Sequence, residues 1–373
     1  MMIKRQFIRH IKNIPGWTTK RKIVVFSVDD YGNVRLSSEK ARTQLGKAGL
    51  GINDCRFDKF DGLENAVDLA MLFDTLCTVK DKNGRNAVFT PYVNVANIDF
   101  ESIMNHNFDT YRSELLPVTL NKLHGYEGTW QLWLEGIKAK IFIPQFHGRE
   151  HLNIKLFNEL LQNNDIFIKA CIKNFSYTGL PLNYYKTIRY NETYSFNLFE
   201  ENYELAHQIK YGLNDFEQIF GYRATNFNAP GAYEHEVLEK TMSEGGIRFI
   251  DTVPIKNEHQ GNGIFKKKFR YWGKSNRFGQ RYFLRNCVFE PSLETNAVSL
   301  CLKEIETAFL WGKPANISSH RINFNGVIAE ENGRLGNEAL RSLLKSIVKK
   351  WPEVEFMCAN ELGMIIDNPK NSK

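Results

Sequence analysis

The sequence lacks any apolar run approaching the about 20 residues that a membrane-spanning helix needs, so no transmembrane segment is expected. Its N-terminal stretch is basic but has neither an apolar core nor a small-residue cleavage site, and no secretory signal is expected there. Cysteine is sparse: Cys55, Cys77, Cys171, Cys287, Cys301 and Cys358 are scattered and form no C-x-x-C pair. They read as reduced thiols of a protein expected in the cytoplasm, with the inner face of the membrane as the alternative that the basic N-terminal stretch offers. No linker composition and no internal repeat interrupts the chain, which favours one domain with insertions. Excess charge is also scarce: +7 over 373 residues points only faintly to an anionic partner.

What is present is ordinary globular composition, 42% hydrophobic and 24% charged, enough for a sizeable core. Strand-like runs alternate with helical ones. Strands are expected at Ile23–Val28, Ala87–Val95, Ile141–Phe146, Ala224–Ala229, Ile247–Thr252, Ala315–Ser319 and Val354–Cys358. Helices are expected at Leu63–Val79, Trp130–Lys138, Leu152–Leu161, Leu198–Phe220, Glu234–Glu244, Glu294–Trp311 and Leu335–Lys350, with Asn360 capping a last short one. Strands separated by helices imply parallel βα units. The fold class is therefore α/β: a distorted, closed or nearly closed (β/α) barrel of about seven parallel strands, TIM-like in plan, with inserted loops.

Residues 1–21 form a basic arm or helix, residues 22–367 the barrel, and residues 368–373 a disordered tail. Two stretches break the rhythm and read as insertions, near 97–129 and 256–291. In residues 3–17, Ile3, Phe7, Ile11 and Ile14 recur at near-helical spacing among Lys4, Arg5, Arg9, His10 and Lys12. This pattern suits either a terminal helix packed on the body or a peripheral contact with an anionic membrane.

Notable polar residues fall where strands end, the mouth at which parallel α/β barrels carry their active sites. Asp29-Asp30 ends the first strand, and His147 follows the third. Asn228-Ala229-Pro230-Gly231, Asp251 and Ser318-Ser319-His320 end later ones. Two adjacent carboxylates are costly to bury unless a cation or hydrogen bonds compensate. His147 and His151 are four apart; at the start of a helix both imidazoles would share a face. With Asp30 they offer two histidines and a carboxylate for one ion, with positions left open for water and substrate.

These motifs resemble those of the polysaccharide deacetylases, the NodB-homology or carbohydrate esterase family 4 group. Ser27-Val28-Asp29-Asp30 stands for that family's Thr-Phe-Asp-Asp, and His147-Gly148-Arg149-Glu150-His151 for its His-Ser/Thr-x-x-His. Phe227-Asn228-Ala229-Pro230-Gly231 stands for its Arg-Ala/Pro-Pro-Gly/Tyr-Gly, and Ile317-Ser318-Ser319-His320 for its closing histidine. Ala87–Val93 resembles its second strand, and the likeness covers roughly residues 22–365. It implies a NodB-type barrel and a metal-dependent hydrolase that removes an acetyl or other acyl group from an N- or O-acetylated carbohydrate, a polysaccharide or its precursor. Asp30, His147 and His151 would hold a divalent metal, with Zn2+ the expected ion. Asp29 would be the base, and His320 the acid on the opposite side of the scissile bond. Asn228, Pro230 and Gly231 would bind substrate or the oxyanion, the latter through the backbone N–H near Gly231. Asp251 is the candidate carboxylate that keeps His320 protonated.

The chain departs from that pattern. The third motif's arginine, which holds the catalytic aspartate, is replaced by Asn228, and an amide supplies neither charge nor a bidentate fork. Arg149, Arg223 and Arg321 lie near motifs and are candidate substitutes. Gly148 stands where a hydroxyl is usual, and 117 residues separate Asp30 from His147. Two other readings therefore stay open: a catalytically impaired glycan-binding protein of the same fold, and a hydrolase of a non-sugar C–N bond. Arg149 and Glu150 read as structural partners. Lys266–Arg281 interleaves Phe269, Tyr271, Trp272 and Phe278 with seven Lys or Arg residues. It reads as a solvated hairpin over the barrel rim, or as a contact for an anionic or lipid-linked glycan. No nucleic-acid motif accompanies it, so nucleic acid is not an expected partner. The oligomeric state is left open.

Overall fold

The computed structural model describes residues 2–180 and 188–368. The side chains of Ile3, Lys4 and Arg5, and residues 369–373 of the expected tail, lie outside the described residues.

The strands, in chain order, are β1 (Lys22–Tyr31), β2 (Phe89–Asn94), β3 (Ala96–Ile98), β4 (Ser113–Leu115), β5 (Gln145–Gly148), β6 (Asn226–Phe227), β7 (Phe249–Thr252), β8 (Ile255–His259), β9 (Phe265–Phe269), β10 (Arg281–Leu284), β11 (Cys287–Val288), β12 (Ala315–His320) and β13 (Val354–Phe356). β1 is buried along nearly its whole length. Its unbroken Ile-Val-Val-Phe run suits a strand covered on both faces. Around it lies one sheet of nine strands in the order β10-β7-β6-β5-β2-β1-β12-β11, with β13 paired to the start of β1. Every pairing in this sheet is parallel. The sheet is open, curled into a half-barrel and flanked by helices.

The curl can be read from the chain itself. β10 and β11 end opposite edges of the sheet, yet only Arg285 and Asn286 separate them. Three residue steps span about 11 Å at most, so the two edges must approach each other. Asn286 fastens this seam: its Nδ2 donates to the Pro314 carbonyl at 2.9 Å, and its Oδ1 accepts from Asn316 N–H at 2.9 Å. Within this nine-stranded sheet β10 and β11 are the two strands not foreseen, both inside the stretch read as irregular.

The helices Ala66–Leu76, Ala297–Leu310 and Glu330–Lys350 cover one side of the sheet, and Asn202–Phe220 packs elsewhere on a second apolar cluster. Trp133, from the helix Thr129–Lys138, is fully buried against Phe142 at 5.0 Å and Tyr31 at 6.2 Å. The last helix, Ala359–Asp367, is capped by Cys358 rather than by Asn360: Glu361 closes a capping box by accepting the Cys358 N–H.

The first irregular stretch pairs β3 with β4 and carries the short helices Phe100–Asn105 and Leu116–Lys122. In the second, β8 and β9 form an antiparallel hairpin. Its inner face is charged, with Lys256 on Glu234 and Lys268 on Glu236, while Ile255 and Phe269 are exposed. At the rim its Phe265 meets Tyr233, ring to ring at 5.2 Å. The N-terminal helix Met2–Ile11 docks by charge as well, Lys12 reaching Glu304 at 3.3 Å. Phe7, Ile8, Ile11 and Ile14 are left exposed, so this apolar stripe is not what packs on the body.

Candidate functional site

The site begins with a slip in β1. Phe26 to Val28 pair in step with Phe89 to Pro91 of β2, but Tyr31 then pairs with Val93, one residue short. This inserts an extra residue on β1, and Asp30 takes a left-handed φ of 73°. In a regular strand neighbouring side chains point to opposite faces. A bulge with a left-handed residue breaks that alternation, and Asp29 and Asp30 both line one pocket of about 380 Å³. Aspartate tolerates the conformation better than most residues, and such strain concentrates at functional sites.

Asp30 stands between the two histidines. Its Oδ1 is 3.3 Å from His147 Nε2 and 3.1 Å from His151 Nε2, all three residues buried. Burial opposes the Asp30 charge, but the facing imidazoles outweigh it and hold the carboxyl well below its usual range. Burial pushes His151 down, towards the neutral form that binds metal. His147 Nδ1–H donates to the Asn228 carbonyl at 2.8 Å, which leaves Nε2 with a lone pair for a ligand. One atom from each residue lies within 4.8 Å of the others. The donor set therefore fits one divalent cation. The histidines do not share a helix face as expected: His147 lies within β5, His151 in the following loop, and the helix starts only at Ile154. Gly148 between them has a φ of 116°, and a Cβ there would come 2.9 Å from Tyr194 Oη, so the family's hydroxyl residue has no room.

Asp29 is held by an arginine after all. Arg285, buried at the barrel seam, grips it through both Nη groups, Nη2 reaching Oδ1 at 2.8 Å. Its Nε donates to Asp251 Oδ2 at 3.3 Å, and the guanidinium lies over the Tyr92 ring at 5.0 Å. This is the bidentate fork that Asn228 cannot supply. None of the three candidate substitutes does this. Arg149 turns to Asp215, Arg223 to Glu217, and Arg321 to Asp61 and Glu64. Arg285 was missed because it lies inside the stretch read as irregular. The signal was the apolar Tyr282-Phe283-Leu284 just before it, a short strand ending in a charge. Asn228 instead orients His147 through its carbonyl.

His320 is the register partner of Asp29 on β12, with Nε2 3.9 Å from Asp29 Oδ2. The two thus stand side by side on one wall of the pocket rather than across from each other. The carboxylate facing His320 is Glu290, Oε1 to Nδ1 at 2.6 Å, and not Asp251, which is occupied by Arg285 and Asn316. Burial alone would lower the His320 pKa, but Glu290, with Asp30 and Asp29, raises it to about 9. The imidazole is therefore protonated at neutral pH. Its neighbour Arg321 ties the loops beneath, donating to the Asn33 carbonyl at 2.7 Å and to Asp61. Asn228 and Gly231 line the pocket, Gly231 with a φ of 75°, whereas Pro230 is buried and does not line it. Arg149 and Glu150 pair with each other, and Tyr111 donates to Glu150 at 3.1 Å.

No family model and no curated protein matches the sequence. Solved structures resemble its fold at low identity. A protein classed as a polysaccharide deacetylase from Mycobacterium smegmatis is 13% identical, with a TM-score of 0.46 over 95% of this chain and 94% of that one. One classed as a glycoside hydrolase or deacetylase from Parabacteroides distasonis is 10% identical, with a TM-score of 0.48 over 94% of this chain and 72% of that one. The PuuE allantoinase is 12% identical, with a TM-score of 0.42 over 93% and 91%.

Replacing Arg285 strips the buried Asp29 and Asp251 carboxylates of the guanidinium they share. Arg285→Gln is expected to lose about 3–5 kcal/mol of stability, and Arg285→Lys clearly less. Urea denaturation measures both, and a wild-type midpoint for Arg285→Gln would show that the fork does not hold these carboxylates.

Proposed function

We propose that this protein is a metal-dependent hydrolase that removes an acyl group, acetyl first among candidates, from an N- or O-acylated carbohydrate. The observation that carries this reading is the Asp30–His147–His151 cluster set beside a carboxylate locked by Arg285 and an imidazole held protonated by Glu290. A divalent ion on the three ligands, zinc suiting their nitrogen and oxygen atoms, would polarise the acyl carbonyl and acidify water.

The chain's own groups do the rest. Asp29, fixed by Arg285, takes a proton from the attacking water as the new C–O bond forms. The backbone at Gly231 faces the carbonyl oxygen as it gains charge. His320 Nε2 gives its proton to the departing amine nitrogen or alcohol oxygen as the C–N or C–O bond breaks. The products are a carboxylate and the freed sugar. The impaired-binding reading rested on the missing motif arginine, and Arg285 removes that ground. A carbohydrate is favoured by the motif pattern of the four strand ends, and by a pocket with aromatic Phe57 and Tyr233 among polar walls.

The direct test is elemental analysis with acetate release from N-acetylated sugars, on the wild type and His147→Ala. About one metal per chain, lost in the variant together with acetate release, is expected. Acetate released at the wild-type rate by metal-free protein would overturn the reading.

The pH dependence follows from His320. Its pKa lies above the unbound value of about 6.5, so the proton is in place below that pH and is lost as pH rises through about 9. Activity should fall on that alkaline limb. Glu290→Gln removes the neighbouring charge and should move the limb down by about one unit or more. An unmoved limb in the rate profile would remove His320 from the acid role.

A further inference from the structure

Arg35 is the one arginine of this pocket that its own surroundings leave poorly matched. It lines the pocket beside the metal-site residues, with its side chain only 4% exposed. Its Nε–H has no hydrogen-bond acceptor among the described residues. The carboxylate facing it, Asp61, stands 3.7 Å away, beyond hydrogen-bond reach, and its nearer oxygen is likewise without a donor. Asp61 already has a partner, since Arg321 donates to its other oxygen through Nη2 at 2.7 Å and Nε at 3.2 Å.

The contrast with the two neighbouring arginines is chemical. Arg285 and Arg321 are docked on carboxylates by charge-assisted hydrogen bonds, as buried guanidinium groups require. Arg35 is instead held by an ion pair with Asp61 that makes no hydrogen bond, by its backbone and by an aromatic face. Its carbonyl accepts from Tyr177 N–H at 3.0 Å, and Val34 N–H donates to Asn97 at 2.8 Å. The guanidinium lies over the Phe57 ring at 4.9 Å. Phe57 in turn meets the His320 ring at 5.4 Å. The cation therefore sits on the same wall as the protonated histidine, across one phenyl ring from it. Arg189, with a 63% exposed side chain, also lines the pocket but stands 4.0 Å from Glu192, a carboxylate of the same lining, and so adds no unmatched charge.

We propose that Arg35 binds an anionic group, a carboxylate or a phosphate, carried by the substrate close to its scissile acyl bond. This rests on the hydrolase reading for the word substrate, but not for the binding itself. It makes the preferred ligand an acidic or phosphorylated sugar rather than a neutral one.

Calorimetric titration of the metal-loaded protein with glucuronate, glucose 1-phosphate and glucose tests it without using turnover. At least one anionic sugar should bind about tenfold or more tightly than glucose, and which one binds tells carboxylate from phosphate. Arg35→Gln should weaken that binding by about tenfold to a hundredfold at unchanged metal content. Arg35→Lys keeps a charge opposite Asp61, so it guards against a variant that fails to fold. It should still bind more weakly than wild type, because an ammonium lacks the planar fork. Equal binding of glucose and both anionic sugars, or wild-type binding by the variants, would overturn the proposal. Absence of acetate release would count against the hydrolase reading and leave the anion site standing.

Discussion

The grip of Arg285 on Asp29 is the interaction on which the rest of the site depends. Two adjacent carboxylates cannot both be buried at a strand end without compensation. Here Asp29 receives a guanidinium fork and Asp30 two imidazoles. Arg285 comes from the two-residue connection between β10 and β11, which joins the edges of the curled sheet. The barrel's near-closure and the fixing of the base are thus the same structural event. Asp251 completes it by holding the guanidinium from the far side.

Within that frame the bulge at Asp30 divides the work. One extra residue in β1 turns two neighbouring side chains into the same cavity, and their partners then set different tasks for them. Asp30 is committed to the imidazoles and to any ion they share. Asp29 is fixed by a cation and lies beside His320, whose proton is secured by Glu290. Identical side chains one residue apart acquire unlike chemistry from their surroundings alone.

Much of this was legible beforehand, for physical reasons. β1 is covered on both faces, so its apolar run stood out, and the strand-end polar residues marked the mouth. His147 and His151 were found because metal ligands are few in kind and these two stand four apart, and Asp30 because it is one of two adjacent carboxylates at a strand end. What could not be read was long-range pairing. Arg285 is 256 residues from Asp29, and β10 and β11 are too short to show periodicity among the Lys, Arg and aromatic residues around them. Glu290 was hidden in the same stretch, so Asp251 was assigned its place. The helical placement of the two histidines failed because the chain needs the left-handed Gly148 and a loop before its next helix can begin.

Whether the paired aspartates have separate duties is decided by metal content measured together with acyl-hydrolase turnover in Asp29→Asn and Asp30→Asn. Asp30→Asn is expected to lose both metal and turnover, while Asp29→Asn keeps about one metal per chain and loses turnover. Equal metal loss in both variants, or full turnover in Asp29→Asn, would contradict that division.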